Sequence, residues 1–221
     1  MSSSKLPARY HPLGHIHQND ALLFQFILHE FLATFSLLSE LSQSHAFDKL
    51  IGDTCLFQMQ YPLSHRVPGS LVKLQHYLFL LGSHFYEKQS DHESTVRALL
   101  SSVEKALLLA MDYQKFRKKE ENAFEKTLTQ FKKLIRSCRN PLLTMISIYH
   151  QNENVLYFLL RRQKDFNLFF GKITLKQTLD SLFKGGMEEA GRWLVKRYQQ
   201  RKFDHLVPSI QAQLLHLTES T

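Results

Sequence analysis

The sequence predicts an all-α protein, a helical bundle or array of about seven to nine helices. One observation is the stretch from Ser83 to Asn140, which runs for 58 residues without Gly or Pro, the residues that interrupt helices. Apolar residues also recur at intervals of three and four, and no alternating stretch longer than about four residues indicates a strand. With 221 residues, 43% of them hydrophobic, the chain can bury a substantial core.

The predicted domain organisation is a short arm followed by one helical domain. Residues 1–18 contain two Pro and one Gly and show no periodicity, so we expect a flexible arm there. Residues 19–221 are expected to form the helical domain. If that domain consists of two packed halves, the seam is expected around residues 114–140, where the apolar pattern is interrupted.

Capping residues and helix breakers divide the part of the chain before residue 114. The first helical stretch has a broad apolar arc, which indicates a central position in the bundle. Proline disfavours helix in the residue before it, so a pair of prolines predicts a turn or crossing loop. The predicted elements are a helix from Asn19 or Asp20 to about Ser42, a shorter helix from about His45 to Tyr61, a loop from Pro62 to Gly69, a helix from Ser70 to about Gln89, and a helix that starts at Ser90 or Asp91.

The apolar face of this last helix is replaced by charged residues between Gln114 and Asn122, and it resumes at Phe124. Two interpretations are open. Either one helix of more than about 40 residues projects its middle into solvent, or two helices are joined by a charged turn at about Lys118 to Asn122. The usual lengths of helices favour the second interpretation.

Asn140 and Pro141 form the strongest local helix signal in the chain. An Asn cap followed by Pro suits a helix start, because that Pro lacks only an amide hydrogen that the first turn cannot use. A helix is therefore predicted from there to about Arg162. The later elements are a break at Gly171, a short helix capped by Thr174 and ended by Gly185 and Gly186, a helix from Met187 to Phe203, and a final helix from Pro208 to about Leu217.

The net charge of +8 is distributed unevenly along the chain. Residues 1–90 hold equal numbers of acidic and basic residues. The excess lies in residues 112–139, with nine basic and four acidic residues, and in residues 161–202, with eleven basic and four acidic residues. Such asymmetry indicates an acidic partner, which could be a protein surface, nucleic acid or an anionic membrane. A solvated face that keeps the protein soluble is the alternative.

Basic residues interleaved with aromatic ones are the one positive functional signal. They would contact an acidic protein surface or the phosphates of a nucleic acid. The helix, short turn and helix over residues 174–202 also resemble a helix-turn-helix in outline, although core residues compete for the second helix. The candidate contact residues are Lys115, Arg117, Lys118, Lys119, Lys132, Lys133, Arg136, Arg192, Lys196, Arg197, Arg201 and Lys202.

Catalytic and cofactor sites have no signature in the sequence. His29 and His92 each begin a zinc-protease motif that the fourth following residue does not complete, and no Glu is followed by His three residues later. A nucleophile elbow and a phosphate-binding Gly-rich loop are also missing. We therefore expect no metal and no cofactor, and the sequence leans against an enzyme.

Cysteine usage and hydropathy favour a cytoplasmic protein. Cys55 and Cys138 are far apart and read as reduced, buried thiols. The N-terminus lacks the apolar segment of a secretory signal. The segment from Ala21 to Leu38 is long enough to span a membrane but contains His29 and Glu30, so we expect a buried core helix and no transmembrane segment.

The leading hypothesis is a non-enzymatic helical interaction module, an adaptor, chaperone-like or regulatory protein, whose basic C-terminal half binds an acidic partner. The first alternative is a helical regulator that binds nucleic acid. The second is a secreted bacterial effector with a disordered N-terminal export signal. The C-terminal tail is amphipathic and would dock on its own bundle or on a partner helix. The oligomeric state and the identity of the partner stay open.

Overall fold

The computed structural model describes residues 20–40, 47, 51, 70–116 and 123–219. The all-α prediction is confirmed, because these residues form α-helices and one 3-10 turn, with no strand among them. The predicted arm over residues 1–18, the helix around residues 45–61 and the loop from Pro62 to Gly69 lie outside the described part, apart from the helical residues Phe47 and Ile51.

The described helices follow the apolar periodicity of the sequence. They are α1 (Asp20–Glu40), α2 (Ser70–Glu87), α3 (Glu93–Phe116), α4 (Ala123–Ser137), α5 (Arg139–Tyr149), α6 (Glu153–Arg161), α7 (Gln163–Phe170), α8 (Leu175–Leu182), α9 (Gly186–Gln200), the 3-10 turn Asp204–Leu206, and α10 (Val207–Glu219).

The chain packs into two compact units, Met1–Leu143 and Thr144–Thr221. The boundary falls inside α5, a few residues beyond the seam predicted around residues 114–140.

In the first unit, each helix from α1 to α4 packs on the next one along the chain, and α4 also packs on α1. Helix α1 packs on α2 and α4, and α3 packs on α2 and α4. Phe47 is fully buried among the aromatic side chains of α3 and α4, with its ring 5.5 Å from Tyr113, 5.2 Å from Phe124 and 5.7 Å from Phe131 between centroids. These edge-on contacts are favoured by the ring quadrupole and add to the apolar area that the helices bury.

Helix α1 is apolar enough to cross a membrane by length and composition alone, since Asp20–Ser39 has a mean hydropathy of 1.7. Of its apolar window, 61% is buried inside the structure. The buried Glu30 lies 3.5 Å from the ammonium of Lys73 on α2, which offsets the cost of removing its charge from water. Apolar helices with such contacts are also typical of soluble bundles.

The charged stretch after Gln114 separates two helices that pack against each other. Helix α3 ends at Phe116 and α4 begins at Ala123, while residues 117–122 lie outside the described part. The hydroxyls of Ser102 on α3 and Ser137 on α4 lie 3.2 Å apart, which a single straight helix does not allow. The interpretation as one long helix is therefore wrong, and the interpretation as two helices is confirmed.

The predicted helix from Asn140 to Arg162 is wrong in its start and its length. Helix α5 begins at Arg139, so Asn140 lies inside its first turn, and Pro141 is accommodated there because the first amides of a helix have no partner within it. The chain then turns after Tyr149, where Asn152 caps α6 by accepting hydrogen bonds from the amides of Asn154 and Val155. The short helix α7 follows and was not predicted.

The second unit is organised around α9, which packs on α6, α8 and α10. Thr174 caps α8 as predicted, through a capping box that it forms with Gln177. Gly185 and Gly186 both have positive φ, at 111° and 66°, and Gly186 already begins α9. The C-terminal tail docks on its own unit, where Ile210 of α10 is fully buried.

Helix α9 ends in a Schellman motif. The amide of Phe203 donates to the carbonyl of Tyr198, the amide of Lys202 donates to the carbonyl of Gln199, and the rings of Tyr198 and Phe203 lie 6.0 Å apart. Lys202 takes the left-handed conformation at φ 59°, the position that Gly usually fills in this motif. A residue with a Cβ pays about 1 kcal/mol or more for that conformation.

Replacing Lys202 with Gly is expected to raise the free energy of unfolding by about 1 kcal/mol, because Gly adopts a positive φ without steric cost. Lys196→Gly in the middle of α9 is the matched control, and it is expected to lower the free energy of unfolding by about 1 kcal/mol. Urea unfolding followed by circular dichroism measures both. Equal destabilisation by the two substitutions would contradict the left-handed assignment.

Candidate functional site

The exposed face of α9 holds the largest group of the predicted contact residues. Arg192 and Lys196 are four residues apart and therefore share one side of the helix. Arg197 and Arg201 have the same spacing and lie on the adjacent side, and Lys202 follows the C-cap residue Arg201. All five side chains are exposed. Their position near the C-terminal end of α9 suits the negative pole of the helix dipole.

Two of these arginines are held by a buried carboxylate. The side chain of Glu153, at the start of α6, is only 9% exposed. Its Oε2 lies 3.7 Å from Nε of Arg197, and its Oε1 forms an ion pair with Nη1 of Arg201. Because the arginine side chains are 47% and 53% exposed, they neutralise Glu153 from the solvent side. This cluster connects α6 to α9.

Aromatic side chains pack beside this ion-pair cluster. The ring of Tyr157, one turn after Glu153 on α6, lies 6.0 Å from the buried ring of Tyr198 on α9. Burial raises the pKa of Tyr198, as do Tyr157 and Glu153, while Arg201 acts in the opposite direction. The Tyr198 phenol therefore stays neutral in the physiological pH range.

Trp193, the single tryptophan of the chain, lies partly exposed on the same helix. The guanidinium carbon of Arg197 is 5.6 Å from the centroid of its ring, a cation–π contact. The ring of Phe183 lies 6.5 Å from Trp193 and 5.1 Å from His150 between ring centroids. Tryptophan and arginine are the residues most enriched where proteins bind one another tightly.

An apolar groove of about 710 Å³ lies between α9 and α10, along the edge of the basic face that carries Arg192 and Lys196. Leu215 is 61% exposed there, and Leu214 and Val195 are partly exposed. We call this the α9–α10 groove. It is lined by Met187, Glu188, Gly191, Arg192, Val195, Lys196, Gln199, Gln211, Leu214 and Leu215.

Two predicted contact residues therefore border the groove. The Arg192 guanidinium lies 3.0 Å from Oε2 of Glu189, and this pair is largely exposed to solvent. Lys196 has no ion-pair partner among the residues that the structure describes. Lys196 is therefore the cation of this wall with most freedom to meet an incoming carboxylate. Arg192 can also do so, because exposed ion pairs such as Arg192–Glu189 are weak.

The remaining predicted contact residues belong to the first unit or lie outside the described part. Arg117, Lys118 and Lys119 lie outside it, as does the side chain of Lys115. On α4, Lys132 is partly buried, and Lys133 and Arg136 are exposed. The basic residues of α4 thus belong to the first unit and those of α9 to the second.

Part of the basic character of α4 is used within the first unit. The guanidinium carbons of Arg136 and Arg139 lie 5.7 Å and 5.9 Å from the centroid of the Phe35 ring on α1. Burial lowers the pKa of Arg139, and the neighbouring Arg136 adds to this effect. These cation–π contacts anchor the end of α4 and the start of α5 on α1.

A second, smaller groove of about 420 Å³ lies between α2 and α3 in the first unit. Phe79 and Tyr86, 63% and 69% exposed, line it together with Leu100. Its charged residues include Glu93 and Arg97, which form an ion pair with each other. This groove has apolar surface but lacks the basic wall of the α9–α10 groove.

Cys138 lies apart from any cluster of metal-ligating side chains in the described residues. Cys138 is free and buried. Burial raises its pKa to about 12, against the smaller opposing effect of hydrogen bonds from Ser102 and Ser137. Within the described ranges, no three His, Cys, Asp or Glu side chains converge in a way that could hold a metal ion.

The chain matches no family model, no curated protein and no solved structure in the comparisons with known proteins.

The sequence pattern identified the basic residues of α9 but not the groove beside them. The groove depends on where α10 lies against α9, and that placement joins residues about 20 positions apart. Gly191 was the available signal, because a Gly in the middle of an amphipathic helix often marks close approach of another element.

The cluster around Glu153 predicts strongly non-additive effects of arginine removal. Arg197→Met and Arg201→Met are each expected to lower the free energy of unfolding by about 1 kcal/mol, because one arginine still neutralises Glu153. The double substitution leaves the buried carboxylate unpaired and is expected to cost about 3 kcal/mol, more than the sum of the two. Urea unfolding measures all three.

Arg192→Met is the control for this series. Its partner Glu189 remains hydrated, so the free energy of unfolding is expected to change by less than about 0.5 kcal/mol. Strictly additive effects at Arg197 and Arg201 would contradict the expectation that either arginine alone neutralises Glu153.

Cys138 is expected to be unreactive in the folded protein. A pKa of about 12 leaves roughly a thousandfold less thiolate at pH 8 than an ordinary cysteine has, and burial also blocks access. In a Cys55→Ser variant, Cys138 is the remaining thiol. Its alkylation by iodoacetamide should be at least about a hundredfold slower in buffer than in urea. Rapid alkylation of the folded variant would contradict the described burial.

Proposed function

We propose that the protein is a non-enzymatic helical interaction module whose C-terminal unit binds an acidic amphipathic helix of a partner protein. The observation that supports this most directly is the α9–α10 groove, an apolar surface bordered by Lys196 and Arg192. An adaptor or regulatory role is the class of function that such a surface serves.

The shape of the groove fits a helix. Its wall on α9 extends over about three turns, from Met187 to Gln199, and one turn of α10 closes it with Gln211, Leu214 and Leu215. Amphipathic helices bind in such grooves through apolar residues spaced at three and four. The exposed Leu215 and the partly exposed Val195 offer the surface that such residues would cover.

The charge of α9 favours an acidic partner. Lys196 lies in the groove wall without an ion-pair partner in the described residues, and Arg192 is held only by the solvated Glu189. Acidic residues beside the apolar stripe of a partner helix would face both at one end of the groove, away from Glu188, which lines its other end. Complementary charge of this kind raises association rates and excludes partners of the same sign.

The arrangement of α8 and α9 is less suited to nucleic acid. A helix-turn-helix reads bases with the first residues of its second helix. Helix α9 begins with Glu188 and Glu189 in its first turn, where they would face phosphates of the same charge. Arg197 and Arg201, at the far end, already neutralise Glu153. These features favour the protein partner over the nucleic-acid partner.

Two synthetic peptides of about 18 residues test the proposal, both with Leu at helical spacing. One carries Glu beside the Leu stripe and the other carries Lys. Fluorescence anisotropy of the labelled peptides is expected to show at least about tenfold tighter binding of the acidic peptide at physiological salt. Arg192→Glu/Lys196→Glu is expected to weaken the acidic peptide by about tenfold or more and to strengthen the basic one.

The matched control is Lys176→Glu/Lys184→Glu, which changes the net charge equally at exposed residues that do not line the groove. It is expected to leave binding of the acidic peptide within about threefold of the unmodified protein, since screened distant charges act weakly. Equal loss in both double variants would indicate a diffuse charge effect. Failure to bind the acidic peptide, together with binding of labelled duplex or single-stranded nucleic acid at physiological salt, would support the nucleic-acid alternative instead.

A further inference from the structure

Gly191 stands in the middle of α9, where Gly is unfavourable relative to Ala. Its φ is not positive, unlike those of Gly185 and Gly186, so its conformation does not require Gly. The reason for Gly at this position must therefore be the space around its α-carbon.

That space is taken by Leu214 of α10. A Cβ placed on Gly191 would lie 2.3 Å from Cδ1, 2.6 Å from Cδ2 and 3.0 Å from Cγ of Leu214. Contacts this short do not occur between carbon atoms, so one of the two side chains would have to move. Leu214 packs directly on the backbone of α9 because Gly191 has no side chain.

Both residues line the α9–α10 groove, and Gly191 is buried while Leu214 is partly exposed. A Cβ at position 191 would occupy the space that the Leu214 side chain now fills against α9. The Leu214 side chain would then turn into the groove, which is the open space beside it. The missing side chain at Gly191 thus lets Leu214 lie against α9 instead of turning further into the groove.

We infer that Gly191 and Leu214 together determine which apolar anchor the groove accepts, an inference that depends on the proposed binding of an acidic amphipathic helix. In the unmodified protein, the groove takes a partner helix with a large central aliphatic residue such as Leu. A Cβ at Gly191 turns Leu214 into the groove and excludes that anchor, while a partner with Ala at the same place still fits.

The test uses two acidic helical peptides that differ only at their central anchor, Leu in one and Ala in the other. The proteins are the unmodified chain, Gly191→Ala, Leu214→Ala and the double variant Gly191→Ala/Leu214→Ala. The unmodified chain is expected to prefer the Leu-anchored peptide by about tenfold. Gly191→Ala is expected to lose that preference through weaker binding of the Leu-anchored peptide alone. Thermal unfolding by circular dichroism verifies that each variant is folded.

The double variant separates occlusion of the groove from a general loss of structure. Removing the Leu214 side chain leaves nothing to be displaced, so Gly191→Ala/Leu214→Ala is expected to bind the Leu-anchored peptide at least as tightly as Leu214→Ala alone does. An unchanged preference in Gly191→Ala, or an equal loss of binding for both peptides, would overturn the role of Gly191. If the unmodified chain binds neither acidic peptide, the proposed function fails together with this inference, whereas binding without anchor preference overturns the inference alone.

Discussion

The second unit depends on the burial of one carboxylate. Glu153 starts α6 in a position where water reaches it poorly, and the surrounding structure must supply positive charge. Helix α9 does so with two arginines one turn apart, which fixes the rotation of α9 about its axis. With that side of α9 committed to α6, Lys196 and Arg192 face outward beside α10. The candidate binding surface is thus a consequence of how one buried charge is neutralised.

The number of basic residues in the sequence is larger than the number of basic side chains that a partner can contact. The stretch of residues 161–202 holds eleven basic residues, yet Arg162, Arg192, Arg197 and Arg201 each have an acidic neighbour in the second unit. Arg136 similarly lies over the ring of Phe35 in the first unit. Basic residues therefore divide into those that hold helices together, such as Arg197 and Arg201, and those that remain open to a partner, such as Lys196 and the weakly paired Arg192. Only packing distinguishes the two groups.

The sequence predicted most helices, because apolar spacing and caps such as Thr174 act locally. It missed the break before α6, since Asn152 looks like an ordinary helix-surface residue until its side chain accepts two backbone amides. Asn140 and Pro141 had the stronger local pattern, yet the structure starts α5 one residue earlier, at Arg139. The candidate surface was predicted only as a set of basic residues. Its groove depends on contact between α9 and α10, of which Gly191 gave only a local hint and not the partner helix.

Trp193 gives the second unit an optical signal of its own. Because it is the single indole of the chain, near-ultraviolet excitation at its red edge produces emission from α9 alone. The first unit contributes only tyrosines and phenylalanines, which are silent at that wavelength. The unfolding of the second unit can therefore be followed independently of the first, and a difference between this emission and the far-ultraviolet helical signal would reveal whether the two units lose their structure in one step or in two.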